Sequence, residues 1–276
     1  MILDTHLHII DRESLRYPWL AGVPALDRDF PYEDYAREAQ RGGISATLHM
    51  EVDVDPAQIE AETCYVAGKA AAGGLLRGCI ASCRPEEEGF AAALERALDD
   101  PFVKGFRRVL HVVPDTLSES ARFRENVGRL TGTGRTFDLC VLPRQMPQAM
   151  ALVDAAPGVR FVLDHCGLPD IAGGTFAPWR NGITAMARRP NVMAKISGVV
   201  AYAGPEWDVE TLRPWVEHTI DAFRWDRVVW GSDWPVCTLG GGLTAWLAAT
   251  RALVAGASEA EREKLYSANA RALWGL

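Results

Sequence analysis

The sequence predicts an α/β protein folded as a single (β/α)8 TIM barrel, with residues 1–276 forming one domain. Three observations lead to this prediction. The length of 276 residues is close to the roughly 250 that such a barrel uses. About eight short apolar segments occur along the chain, the number of strands that a closed parallel barrel needs. The stretches between most of these segments are long enough for the crossover helices that parallel strands require.

The predicted strands are apolar runs, and several are continuous rather than alternating, as is typical of strands covered on both faces. In chain order they are Ile2–Thr5, Ala46–Met50, Leu76–Ala81, Val103–Phe106, Thr136–Val141, Val159–Leu163, Val192–Ile196 and Arg227–Trp230. The long segment from Leu7 to Asp29 follows the first strand and contains proline and tryptophan. In a barrel this segment lies at the carboxyl ends of the strands, where active sites are built, so we expect it to be functional.

Helices are predicted from apolar residues that recur at helical spacing. The first helix is expected to begin at Pro31 and end at Gly42, because proline suits the first helical position and glycine favours a helix end. Apolar stripes predict three more helices, which contain Phe90–Ala97, Phe123–Leu130 and Leu265–Leu273. Ser258 and Glu261 have the spacing of a capping box that opens the last of these.

Composition and charge exclude several classes of protein. Lysine and arginine number 29 against 36 acidic residues, so the net charge is −7, and we expect no non-specific binding to nucleic acid or to anionic membranes. No apolar segment approaches the roughly 20 residues that cross a bilayer. The six cysteines form no CxxC pair and are expected to be reduced thiols. We expect a cytoplasmic protein, monomeric or homo-oligomeric, whose partner is a small molecule.

Residues that can carry chemistry gather at three predicted strand ends. His6 and His8 follow the first strand two positions apart, so an extended chain can point both imidazoles to one side. His165 follows the sixth strand, and Asp233 follows the eighth. Each of these residues alone has an ordinary structural explanation, because a histidine can be packed in the core and an aspartate can cap a helix. Because the carboxyl ends of barrel strands open onto one mouth, their joint placement favours a shared site.

Six motifs together resemble the amidohydrolase superfamily, and more narrowly its amidohydrolase-2, sugar-lactonase-like branch. They are Asp4–His8, Tyr17–Leu20, Leu163–Gly167, Lys195–Gly198, Trp230–Pro235 and Asn269–Ala270. The motifs run from the first residues to the last helix, so the resemblance covers essentially the whole chain. It implies a distorted (β/α)8 barrel that hydrolyses lactones. These are either aldonolactones of the fuconolactone or rhamnonolactone type or muconolactone- and pyrone-type lactones.

The same resemblance implies roles for the residues at the strand ends. His6, His8 and His165 would surround the reacting carbonyl or a metal ion, and Asp233 would be the general base. The fifth strand ends without the histidine of firmly metallated members, and the fourth ends in Arg107 and Arg108 instead of a bridging lysine. A binuclear centre is therefore not expected. Either His6 and His8 hold one divalent ion, for which zinc suits the ligands, or no metal is needed.

Five further residues are candidates for binding the substrate. Arg107 and Arg108 follow the fourth strand, and one of them can bind a hydroxyl or carboxylate, with a surface ion pair as the alternative. Glu51, after the second strand, is a polar candidate at the mouth, and His111 lies a few residues beyond the arginines. Trp19 can form an apolar wall, with packing in a lid or core as the alternative.

Three other functions compete with the lactonase hypothesis. A metal-dependent nonoxidative decarboxylase of the same superfamily uses a similar set of residues, but it more often keeps the histidine after strand five. A noncatalytic sugar-binding barrel would bind its ligand without turnover. A phosphoesterase would need more aspartate and histidine ligands than the sequence offers. Release of carbon dioxide would support the decarboxylase, and acidification without it would support the lactonase.

Overall fold

The computed structural model describes residues 1–276 and confirms the predicted (β/α)8 barrel. Eight parallel strands form one sheet in sequential order from β1 to β8. They are β1 Ile2–Leu7, β2 Ile44–Met50, β3 Leu76–Ser82, β4 Val103–Val109, β5 Thr136–Cys140, β6 Arg160–Leu163, β7 Val192–Ile196 and β8 Val228–Trp230. Almost every strand residue is buried, as expected for strands covered on both faces.

Helices surround the sheet and connect most of the strands. The α-helices are α1 Tyr32–Gly42, α2 Ile59–Ala71, α3 Phe90–Leu98, α4 Ala121–Gly128, α5 Met146–Ala155, α6 Phe176–Met186, α7 Val199–Tyr202, α8 Val209–Phe223, α9 Gly242–Leu253, α10 Glu259–Glu263 and α11 Asn269–Trp274. Short 3-10 turns occur at Pro18–Gly22, Pro56–Gln58, Leu117–Glu119, Pro143–Gln145, Asp164–Gly167, Trp225–Arg227 and Val236–Gly240. None of the helices combines the length and apolar character needed to cross a bilayer.

Several element bounds differ from those predicted. Strand β1 extends to Leu7 instead of ending at Thr5, and β4 extends to Val109 instead of ending at Phe106. Both strands continue through polar side chains, where the apolar pattern used for the prediction has already ended. Pro31 is the residue before the first helix rather than its first residue. The capping box of Ser258 forms as predicted, but a π-turn interrupts the last helix.

The barrel closes where β1 meets β8, and this seam is irregular. Only one bridge, between Leu7 and Trp234, joins the two segments in the manner of a sheet. Asp4 replaces the missing ladder, because its carboxylate accepts hydrogen bonds from the backbone N–H groups of His6 and Ser232 at 3.0 and 2.8 Å. The Thr5 hydroxyl donates to the Trp230 carbonyl at 2.8 Å. The seam is the distortion that the family resemblance implies.

The barrel interior changes from apolar to charged along its axis. The amino-terminal part is an apolar cluster, separate from the core beneath the helices, that is completed by Leu273 and Trp274 of α11. Farther along, Lys195 of β7 is fully buried between Asp138 of β5 and Asp164, with both carboxylates at 2.8 Å from its ammonium nitrogen. Buried charges are tolerated only when paired and hydrogen-bonded, and here they are.

Replacement of the buried lysine should destabilise the protein strongly. In Lys195→Met the carboxylates of Asp138 and Asp164 lose the ammonium that compensates them, so the free energy of unfolding should fall by about 3–5 kcal/mol. The matched control is Lys69→Met, which removes an exposed lysine paired with Glu33 at 3.3 Å and should change stability by less than about 1 kcal/mol. Urea denaturation measures both, and equal losses in the two variants would contradict the prediction.

Candidate active site

Three candidate residues converge at the barrel seam. The Nε2 atoms of His6 and His8 lie 3.2 Å apart, and the Asp233 Oδ1 atom lies 3.6 and 3.4 Å from them. Backbone hydrogen bonds fix this arrangement, because the Asp233 N–H donates to the His6 carbonyl at 2.9 Å and the His8 N–H donates to the Trp234 carbonyl at 2.7 Å. The first and last strands therefore set the distances between these side chains directly.

His165 completes the group from the turn after β6. Its ring centroid lies 4.4 Å from that of His6, and its Nδ1 atom is 2.9 Å from the Ser197 hydroxyl. The backbone of His165 is left-handed, with a φ of 53°. A side chain at Gly198 would collide with the imidazole, since an added Cβ would lie 2.6 Å from its Nδ1 atom. A strained turn and a neighbouring glycine thus place this ring beside His6.

Asp233 is strained and incompletely hydrogen-bonded. Its φ is 57°, a conformation that costs a non-glycine residue energy and recurs at functional sites. The residue is 1% exposed, and its Oδ2 atom has no hydrogen-bond partner. The Nδ1 atom of His165 lies 3.9 Å from that oxygen. Since buried carboxylate oxygens are normally paired, an unpaired one in a residue that lines a cavity marks Asp233 as a candidate functional group.

Two charged groups lie beside the Nδ1 atom of His6. The Lys195 ammonium, which also contacts Asp138 and Asp164, lies 3.2 Å from it, and the Asp164 Oδ1 atom lies 3.5 Å from it. This nitrogen can therefore accept a hydrogen bond from Lys195 or donate one to Asp164. Arg107 Nη1 approaches Nε2 at the longer distance of 3.4 Å and is shared with Asp164 at 3.3 Å.

The backbone of β2 orients His8. Its Nδ1 atom lies 2.9 Å from the carbonyl of Met50, which can only accept, so this nitrogen donates a hydrogen bond to it. The Nε2 atom on the other side of the ring then faces His6 Nε2 at 3.2 Å and Asp233 Oδ1 at 3.4 Å.

His6, His165 and His111 are held in the neutral form. Burial, reinforced by the charge of Lys195, lowers the pKa of His6 well below its usual value of 6.5. Burial also lowers the pKa of His165, and it lowers that of His111 to about 4. Neutral imidazoles can donate or accept one hydrogen bond at each nitrogen without bringing a net charge into the cavity.

Arg107 lies at the site, but its guanidinium is committed to carboxylates. Nε donates to Glu51 Oε1 at 2.6 Å, Nη2 to the Glu51 carbonyl at 2.7 Å, and Nη1 to Asp164 Oδ2 at 3.3 Å. Burial alone would lower the pKa of Arg107, and the charges of Glu51 and Asp164 more than reverse this, so the pKa is raised well above its usual value. The guanidinium is therefore a fixed positive charge within the site.

The other predicted binding residues separate into two groups. Trp19 and His111 line the cavity, and the Trp19 indole N–H donates to the Val52 carbonyl at 2.8 Å. Arg108 points away from it and pairs with Glu86 at 2.8 Å, so the structure selects Arg107 of the two arginines. Glu51 is 1% exposed and does not line the cavity either; it contacts Arg107 instead.

The cavity at the mouth has a volume of 210 Å³ and contains His8, His165 and Asp233 in its lining. Much of its wall comes from the segment between β1 and α1, as expected for that long connection. Tyr202, at the end of α7, also lines it and was missed in the sequence, where no motif or spacing distinguishes it. Burial raises the pKa of Tyr202 well above 10, so its hydroxyl stays neutral and can donate a hydrogen bond.

The donor atoms match a divalent ion in position. Separations of 3.2–3.6 Å among His6 Nε2, His8 Nε2 and Asp233 Oδ1 are close to the ~3.3 Å between ligands of a tetrahedral zinc with bonds of 2.0–2.1 Å. His6, His165 and Asp233 likewise bring three ligand atoms within 4.8 Å of one another. These residues form a His/Asp cluster able to hold a metal ion.

Comparison with known proteins agrees with the family resemblance. A family model described as amidohydrolase matches residues 3–276. The chain is 28% identical over 251 residues to an L-fucono-1,5-lactonase of Burkholderia ambifaria, covering 89% of this chain and 85% of that protein. It is 29% identical over 302 residues to an L-fucono-1,5-lactonase of Burkholderia multivorans, covering 99% and 93%.

A solved structure has the same fold over its whole length. The crystal structure of an amidohydrolase from Burkholderia multivorans with bound zinc superimposes with a TM-score of 0.90. The two chains are 24% identical, and the match covers 100% of this chain and 99% of the other. Because the family model covers nearly every residue and the barrel has the expected order of strands, the chain belongs to the amidohydrolase family.

Proposed function

We propose that this protein hydrolyses a small lactone, with Asp233 as the general base. The observation that carries the proposal is the unpartnered, buried Oδ2 atom of Asp233, a residue that lines the cavity together with His8, His165 and the fixed guanidinium of Arg107. The similarity to proteins named as L-fucono-1,5-lactonases supports the same reaction. Hydrolysis of an ester needs a base for water and donors for the carbonyl oxygen, and both are present here.

The reaction is balanced because one proton passes from water to Asp233 and then from Asp233 to the leaving alkoxide. Asp233 takes a proton from water as the water oxygen bonds to the lactone carbonyl carbon. The carbonyl oxygen becomes an oxyanion, which His165 and the Tyr202 hydroxyl can stabilise by hydrogen bonds and the fixed guanidinium of Arg107 by its charge alone. When the ring C–O bond breaks, the protonated Asp233 returns its proton to the leaving alkoxide. The product is a hydroxy acid, whose ionisation acidifies the solution without release of carbon dioxide.

We propose further that this step needs no metal ion. A divalent ion, if bound, would be held by His6, His8 and Asp233 and would polarise the carbonyl. The positive charge of Lys195, 3.2 Å from the Nδ1 atom of His6, disfavours a second cation at this imidazole. A lactone has an alkoxide leaving group, which is easier to expel than an amine. We propose that the imidazoles and the charge of Arg107 supply the electrophilic assistance.

Removal of the proposed base should abolish turnover without loss of the fold. Asp233→Asn keeps the size of the side chain, and asparagine tolerates the left-handed backbone well, so folding should survive. Loss of a general base lowers kcat/KM by about 100- to 10,000-fold, measured with a pH indicator on a panel of lactones. The control is Asp53→Asn, another cavity aspartate with positive φ, which should lower kcat/KM by less than about tenfold. Near-normal activity of Asp233→Asn would eliminate the proposed base.

Chelation should leave the activity unchanged. After incubation with EDTA and dialysis, we expect the wild-type protein to keep its kcat/KM, because no step depends on a metal. Carbon dioxide measured in the same samples should stay at the level of the blank. Activity that disappears with EDTA and returns with Zn²⁺ would contradict the metal-free reaction. Carbon dioxide in proportion to turnover would indicate the decarboxylase instead.

A further inference from the structure

The wall of the cavity at the barrel mouth is mainly apolar, which is unexpected for a site that binds sugar lactones. Ile10, Val23 and Leu26 come from the segment after β1, and Val109 lies at the end of β4. Val236 adds a further aliphatic side chain from the segment after β8. Elements distant in sequence thus contribute the same kind of surface to one cavity. An apolar wall favours ligands with apolar surface of their own.

Two exposed side chains extend this wall to the rim. Apart from Met1, the large hydrophobic residues exposed to solvent are Val112, at 61%, and Leu239, at 41%. Both line the mouth of this cavity. Exposed apolar side chains at the edge of a concave site are the arrangement expected where a ligand covers them.

Few polar groups remain for hydroxyl substituents. Five lining residues are set aside because the proposed reaction uses or surrounds them: His8, Arg107, His165, Tyr202 and Asp233. The charged and imidazole groups that then remain in the lining are Asp53 and His111. The Asp53 carboxylate is paired with Arg84 at 3.1 Å, and His111 Nδ1 lies 3.3 Å from Cys140 Sγ. A sugar lactone carries several hydroxyls, each of which donates one hydrogen bond and accepts others. Most of them would face aliphatic carbon here and lose the hydrogen bonds they make in water.

An anionic substituent fits no better than a hydroxylated one. The only cation in the cavity lining is Arg107, and its guanidinium already contacts Glu51 and Asp164. Asp53 and Asp233 lie in the same lining. A lactone that carries a carboxylate or sulfonate would find no free partner and would approach two aspartates.

We propose that the substrate is a monocyclic lactone whose substituent is a short, uncharged alkyl chain, and this rests on the proposed lactonase function. The volume of 210 Å³ supports the size, because an apolar cavity of about 150 Å³ accommodates benzene. The lactone ring occupies the inner part beside Asp233, and the alkyl chain extends along the aliphatic wall towards Val112 and Leu239.

The test compares three lactones of similar size on the wild-type protein: δ-octalactone, L-fucono-1,5-lactone and a muconolactone. We expect kcat/KM for δ-octalactone to exceed that for the sugar lactone by at least about tenfold, since each unpaired hydroxyl weakens binding by about that factor. The anionic lactone should be the poorest of the three. Equal or higher kcat/KM for the sugar or the anionic lactone would overturn the proposal.

A double variant tests the wall itself. Val112→Thr with Leu239→Asn keeps side-chain size at two exposed positions, so the fold should be unaffected. The ratio of kcat/KM for δ-octalactone to that for the sugar lactone should fall by about fivefold or more. The control is Val113→Thr, which makes the same kind of change next to Val112 but outside the cavity lining. It should leave the ratio unchanged, and an equal fall in both proteins would contradict the role of the wall.

Binding to Asp233→Asn separates this proposal from the lactonase function. We expect titration calorimetry to give a lower Kd for δ-octalactone than for the sugar lactone. If that order holds while the wild-type protein hydrolyses none of the lactones, the apolar site stands and the proposed reaction is wrong. If the sugar lactone binds more tightly, the alkyl substrate is wrong whatever the wild-type protein hydrolyses.

Discussion

The closure of the barrel between its first and last strands is the constraint on which the site depends. Two backbone hydrogen bonds, Asp233 N–H to the His6 carbonyl and His8 N–H to the Trp234 carbonyl, tie the two chain segments together at the mouth. Side chains that are more than 220 residues apart in the sequence therefore lie within 3.6 Å of each other. Asp4 adds to this seam, because its carboxylate accepts hydrogen bonds from the backbone N–H groups of both His6 and Ser232.

Buried charges below the mouth hold the histidines and the guanidinium in place. Lys195 and Arg107 share Asp164, and each has a second carboxylate, Asp138 or Glu51. Such pairs contribute little net stability compared with apolar packing, but they fix atoms rigidly. Here they orient His6 and present a positive charge that does not move. Asp233 is the exception, since one oxygen of its buried carboxylate has no partner.

The sequence predicts the positions of the strands and of the residues at their ends better than the direction of each side chain. Eight apolar runs locate every strand, and strand ends locate His6, His8, His165 and Asp233, because the topology of a closed barrel places such ends together. The direction of an individual side chain does not follow from this. Adjacent residues of a strand point to opposite faces, so a shift of one position decides which of Arg107 and Arg108 reaches the cavity.

Other features have no local signal in the sequence at all. The partner that compensates a buried Lys195 comes from a strand 57 residues away, and Tyr202 reaches the cavity only because α7 turns back over the mouth. The apolar wall is assembled from three separate connections, each of which looks like an ordinary loop. Such features depend on tertiary packing, which residue spacing does not encode.

The most direct test of the account follows the oxygen atom of the attacking water. A single turnover with enzyme in excess over lactone, in water enriched in oxygen-18, distinguishes a base from a nucleophile. If Asp233 activates water, the product carboxylate carries the label, and mass spectrometry of the peptide containing Asp233 finds none. Label in that peptide would mean that Asp233 attacks the carbonyl itself, and it would contradict the proposed role of its unpaired oxygen.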